Sequence, residues 1–176
     1  MGNPIPPVNS RLTPAKIRDS CIAKFDPPIA ALVKASRLAL RKRYPTAVEL
    51  VYDNYNALAI GYGPNDRTSE AIFSLAVYPR VVHLYFLRGV ELKDRNGLLE
   101  GSGNQGRFFR LASTSQLSEP QVQQLLDAAV ANAKTPLPAS GKGKTIIKSI
   151  SAKQRSRSAT AKTDSVSGQK VKRSSK

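Results

Sequence analysis

The chain has no tryptophan and only one each of cysteine, histidine and methionine. A lone Cys21 excludes an internal disulfide framework and fits a reducing compartment. One thiol and one imidazole also exclude the common structural zinc sites, which need four such ligands. Cys21 and His83 are the one thiol–imidazole combination available, and nothing in their spacing brings them together. No serine stands in a nucleophile-elbow pattern. Long apolar runs are missing too, and none approaches the roughly 20 residues a membrane-spanning helix needs. The opening MGNPIPPVNSR has no apolar h-region, and Pro6 stands where a myristoylation signal after Gly2 wants Ser or Thr. The expectation is a cytoplasmic chain without a membrane span or cofactor, leaning away from an enzyme.

Acidic residues are scarce as well: 12 Asp plus Glu against 28 Lys plus Arg, for a net charge of +16 over 176 residues. The excess is concentrated at one end. From Lys134 onward there are twelve basic residues and one acid, Asp164, so the preceding 133 residues carry only +5. Such a field favours polyanions: nucleic acid, anionic lipid or acidic proteins.

Three stretches organise the chain. Residues 1–13 are a loose, proline-containing leader. A short helix is expected over 14–24, and Asp26-Pro27-Pro28 opens a stronger one, with Asp26 as cap and Pro45 as terminator. Ile29, Leu32, Val33, Ser36, Leu40 and Tyr44 share one face of it, with Lys34, Arg37 and Arg41 on a flank. Between Thr46 and Ala112 the period drops to two. Val48, Leu50 and Tyr52 alternate with Glu49, Val51 and Asp53, as in a half-buried strand. Further strands are expected over 57–62, 71–78, 81–87 and 107–111, with short connections that imply antiparallel neighbours. Ser118-Glu-Pro-Gln121 resembles a capping box ahead of a helix bearing Val122, Leu125, Leu126, Ala129 and Ala133 on one face.

Beyond Pro136 the composition turns to Lys, Ser, Ala and Gly, but Ile146, Ile147 and Ile150 interrupt it. That segment is expected to dock as an edge strand. The fold class that follows is α+β: a two-layer, mainly antiparallel sheet of five to six strands, with N- and C-terminal helices on one face. The domain runs from 14 to 157, and 158–176 form a disordered basic tail. Strand 81–87 is apolar on both faces. Its second face, grouped with Phe73, Leu75 and Val77 of a neighbour, is expected to be covered by the tail strand, a homodimer partner or a ligand.

Residues 101–106, GSGNQG, have the G-x-G-x-x-G spacing of a dinucleotide-binding turn. That turn works only between a strand and a helix whose free N–H groups hold pyrophosphate. Here RFFRL follows, which alternates as a strand does, so the glycines read as loop-shaping residues. An anion-binding nest is the alternative, with Gly101, Gly103 and Gly106 supplying N–H groups and Arg88, Arg107 and Arg110 supplying charge.

The same region carries a resemblance. FLRGVELKD at 86–94, GLLEGSG at 97–103 and Arg107 resemble the signature of YdhG-like domains, a bacterial family of unknown function. ELVYDNYNAL at 49–58 and IKSISAKQR at 147–155 resemble other segments of one branch. The similarity spans about residues 20 to 157. Some relatives are described as frataxin-like iron chaperones, which implies a frataxin-like helix–sheet–helix order. Frataxin-type iron binding uses an acidic ridge, whereas the corresponding helix here bears Lys34, Arg37, Arg41, Lys42 and Arg43. Only Glu49 and Asp53 offer paired carboxylates, and they read as a solvated strand face.

The strongest functional signal is the C-terminal series Lys153, Arg155, Arg157, Lys162, Lys170, Lys172, Arg173 and Lys176. Spaced by Ser, Ala and Thr, with no aromatic between them, these residues suit nonspecific neutralisation of phosphates. The sequence therefore favours a noncatalytic module binding nucleic acid or another polyanion. The alternative is an iron chaperone or a small-molecule-binding domain using the sheet face and glycine loop.

Overall fold

The computed structural model describes residues 12–160. Two helices come first. In α1 (Pro14–Ile22), the Thr13 hydroxyl accepts the Lys16 N–H. In α2 (Pro27–Arg43), prolines fill the first turn and Tyr44, just before Pro45, leaves helical geometry. Four strands follow as two tight hairpins: β1 (Val48–Asp53), β2 (Leu58–Gly63), β3 (Phe73–Val77) and β4 (Val82–Phe86). Asn54 N–H bonds the Ala57 carbonyl at 3.0 Å to close one turn, and Tyr78 N–H bonds Val81 at 2.9 Å to close the other. Pro79 suits the second turn because its ring pre-sets φ. Then come β5 (Arg107–Leu111), α3 (Pro120–Ala131) and β6 (Thr145–Ile150).

The strand order is β5-β4-β3-β2-β1-β6. Every pair is antiparallel except β1 with β6, which is parallel and contains an irregularity beside Val51 and Tyr52. The result is an α+β fold with a six-stranded mixed sheet and three helices. The isoleucine-bearing segment does form the edge strand expected of it.

The register divides the sheet into two faces. Glu49, Val51 and Asp53 align with Leu58, Ile60 and Tyr62, then with Phe73, Leu75 and Val77, then with Val82, Leu84 and Phe86. This is the core face, packed against Val33 and Leu40 of α2 and Val122 and Leu126 of α3. Two expectations are corrected here. Glu49 and Asp53 are fully buried, not solvated, and Phe73, Leu75 and Val77 belong to the core rather than to the second face. β1 is also not half-buried as expected: every residue but Tyr52 is buried, and its core face is the one that carries the two carboxylates, which neighbouring cations hold inside.

Two capping expectations are also corrected. The Asp26 side chain makes no cap bond; its Oδ2 accepts the N–H of Ala159 at 2.9 Å. Ser118 does not cap α3 either. Gln116 instead takes the N–H groups of Ala112 and Ser113, one turn earlier, in a 3-10 segment.

Candidate nucleic-acid interface

The face opposite the helices is built in two rows. One reads Arg110, His83, Ala76, Ala59, Tyr52 and Ser149 across the strands; the other reads Phe108, Tyr85, Ser74, Gly61, Leu50 and Ile146. The second row is partly roofed by the β2–β3 connection. Ala71 lies over Gly61, Lys148 donates to the Asp66 carbonyl, and the Tyr52 and Thr68 hydroxyls are 2.6 Å apart. That connection covers part of the face assigned to a tail strand, partner or ligand.

The rest of the face is open and aromatic on one side. His83 stacks on Phe108 with ring centroids 4.2 Å apart and 13° between planes, and Tyr78 tilts against His83 at 5.3 Å. Beside this three-ring ladder lie small residues, Ala76 and Ala59 in the same row. Burial, and secondarily the charge of Arg110, lowers the His83 pKa from its ordinary value. His83 is thus a half-exposed strand histidine, and Cys21 is buried on the other side of the sheet beside Asp53.

The chain beyond β6 runs back to this end of the molecule. Ser151 N–H bonds the Asp53 carbonyl, Arg155 N–H bonds Tyr55, and Arg157 reaches Asp53. The Ala159 carbonyl then accepts from Arg80 at 3.3 Å, at the β3–β4 turn that also bears Tyr78. Hydrogen bonds to the body of the fold reach Ala159, two residues past the boundary drawn from sequence. Among the basic candidates, Lys153 and Arg155 are exposed, while Arg157 is buried and paired. Arg157 is therefore a fold residue rather than part of a phosphate-binding surface. Lys162, Lys170, Lys172, Arg173 and Lys176 lie outside the described residues.

The glycine loop is braced by its own arginine. Arg107 turns back onto it, donating to the carbonyls of Gly103 and Gly106 at 2.6 and 2.7 Å. Arg88 pairs with Glu91 and Arg110 with Glu100, so each of the three arginines has an internal partner. Downstream of the glycines comes β5, not a helix, and Glu100 and Phe108 exchange backbone hydrogen bonds across the loop's base. Asp94 closes the preceding turn by accepting from the N–H groups of Leu98 and Leu99.

Gly101 has φ +118°, which side-chain-bearing residues avoid, whereas Gly103 has ordinary φ and open space around it. Gly101→Ala is expected to lower stability by about 1–3 kcal/mol, and Gly103→Ala to stay within about 0.5 kcal/mol of the parent. Urea unfolding of the two variants checks the contrast, which a nucleotide-gripping motif would not require.

Among the described residues no group of three or more His, Cys, Asp or Glu is placed to hold a metal ion. Glu49 is ringed by Arg18, Arg37 and Arg41, and Asp53 by Lys24 and Arg157. Both weak metal candidates are thus spent on internal ion pairs, a role that basic residues at helical spacing on α1 and α2 could have suggested. A cleft of about 570 Å³ opens between Tyr85, Val90, Gly106 and the C-terminal end of α3, near Arg88 and Lys134. Among the described residues no helix is long and apolar enough to cross a membrane. No family model, curated protein or solved structure matches the chain.

Proposed function

We propose that this chain is a noncatalytic module that binds nucleic acid nonspecifically, with its basic C-terminal segment as the main phosphate-neutralising element. One observation carries the reading: carboxylates in the described residues are largely engaged internally while many cations are not. Asp19, Glu49, Asp53, Glu70, Glu91, Glu100 and Asp127 all sit in ion pairs. Lys34, Lys42, Lys93, Arg95, Lys142, Lys144, Lys153 and Arg155 are exposed and belong to none of those pairs. The surplus positive charge of the described residues therefore faces outward.

The YdhG-like resemblance and the frataxin-like order of helix, sheet and helix belong to the same reading as an account of the scaffold. Iron carriage does not accompany them, because the two carboxylates that would serve it are buried and paired. A reducing, cytoplasmic setting suits the single buried thiol.

A chain ending at Thr160 tests the role of the tail, since it keeps Arg157 and Ala159 in place. Full-length protein is expected to be retained on mixed-sequence DNA at low salt. With up to five tail cations on phosphates, affinity should fall by up to about 500-fold between 50 and 200 mM salt. The shortened chain should bind far more weakly and with a shallower salt slope. No retention of the full-length chain at about 50 mM salt removes the reading.

A further inference from the structure

Resting on the nucleic-acid reading above, we propose that the open sheet face is a stacking platform for the unpaired bases of a single-stranded nucleic acid. Its surface is the ring ladder Tyr78, His83 and Phe108.

A basic tail with no aromatic residue neutralises phosphates but gives the bases nothing to stack on. The sheet supplies what the tail lacks. His83 touches a ring on either side, Tyr78 and Phe108, on the side the helices leave uncovered, and the neighbouring positions in the His83 row are as small as alanine. Bases splayed from a single strand stack on aromatic side chains of such faces, whereas duplex bases are already stacked on one another.

Charge sits around the ladder where a backbone would pass. Arg110 is next to His83 across the strand pair, and its partner Glu100 is an exposed surface carboxylate. Such a pair is weak enough to exchange for a phosphate. Arg80 lies in the Tyr78 turn and holds the Ala159 carbonyl, so the basic tail leaves the described fold at the same end of the ladder. A second copy of this chain is a poorer occupant, because two bodies of charge +16 repel.

The absence of tryptophan makes the test direct. Tyr78→Trp places a single indole on the ladder. Its fluorescence is expected to be quenched by an oligothymidylate of about 16 nucleotides, and not by a duplex carrying the same number of phosphates. Tyr78→Ala and Phe108→Ala in the full chain are each expected to weaken oligothymidylate binding about 5-fold or more, with duplex binding unchanged. Tyr78 is at an exposed turn, so its variant stays informative even where Phe108→Ala does not fold. Equal affinity for both nucleic acids, no quenching and no effect of Tyr78→Ala overturn the platform. If truncation at Thr160 then weakens both equally, the tail reading stands alone. Failure of the full chain to bind either nucleic acid removes both. A dimer that occludes the indole, seen by sedimentation with no quenching, also overturns the proposal.

Discussion

Glu49→Gln is expected to lower the melting temperature by roughly 6–16 °C, the equivalent of about 3–4 kcal/mol in a domain of this size. The carboxylate is fully buried, and its neighbours decide the cost. Arg37 faces it with two edges, Nε 2.7 Å from Oε1 and Nη2 donating to Oε2 at 3.0 Å. Arg18 donates at 3.3 Å, the Thr145 hydroxyl at 2.7 Å and the Tyr62 hydroxyl at 3.3 Å. Glutamine keeps the volume but not the charge, and its amide presents a donor where donors already converge.

The loss falls unevenly on the cations. Arg18 retains Asp19, whereas Arg37 and Arg41 both lose their countercharge, Arg41 keeping only the carbonyls of Ala47 and Gly143. Arg37 and Arg41 keep slight solvent access and can bend toward water, which places the cost at the lower part of the range for broken buried pairs. Arg37→Ala should cost less than Glu49→Gln, because Glu49 would still hold Arg18, Thr145 and Tyr62. Thermal melts followed by circular dichroism rank the two. A Glu49→Gln midpoint within about 2 °C of the parent would contradict the clamp.

Much of the scaffold was legible because periodicity reports which residues share a side. The faces of α2 and α3, the four hairpin strands and β6 all follow from spacing and from Pro, Gly and Asn punctuation. Which side of β1 faces inward was not legible. Val-Glu-Leu-Val-Tyr-Asp offers an apolar set and an acidic set, and burial of the acidic set depends on Arg18, Arg37 and Arg157 arriving from distant parts of the chain. The same limit hid Asp26, whose true partner lies 133 residues away, and the roof over the second sheet face. The glycine loop was readable as a loop because RFFRL alternates. Of its arginines, Arg88 and Arg107 have partners within four residues, so their pairing was open to a local reading, whereas the Arg110–Glu100 pair depends on the loop folding back onto β5. The ring ladder escaped notice because Tyr78, His83 and Phe108 meet only through strand register.

Arg157→Ala is expected to cost about 3–5 kcal/mol and to loosen the chain from Ser151 onward. Arg157 is buried against a fully buried Asp53, donating at 2.9 Å, and it also donates to the carbonyls of Asn54 and Tyr55. Its guanidinium lies 5.5 Å from the Phe25 ring centroid. Without it Asp53 keeps Lys24 at 2.5 Å, but that lysine is more than a third exposed and compensates only in part.

Two readouts separate this clamp from simple loss of packing. The first is Cys21, whose thiol is pushed up to about 11 by burial and by the neighbouring Asp53, and is nearly inaccessible. It should resist thiol reagents in the parent and label markedly faster in Arg157→Ala. The second is pH. Burial pushes the Asp53 carboxyl up, but Lys24, Gln154 and Arg157 outweigh it and leave the pKa below its ordinary value. A depressed folded pKa means the contribution is complete above the unfolded value, near pH 4, and is lost as pH falls through the folded one. The stability gap between the parent and Asp53→Asn should therefore be widest at neutral pH and shrink progressively below about pH 4. A gap that stays constant down to pH 2 would assign the effect to packing instead of charge.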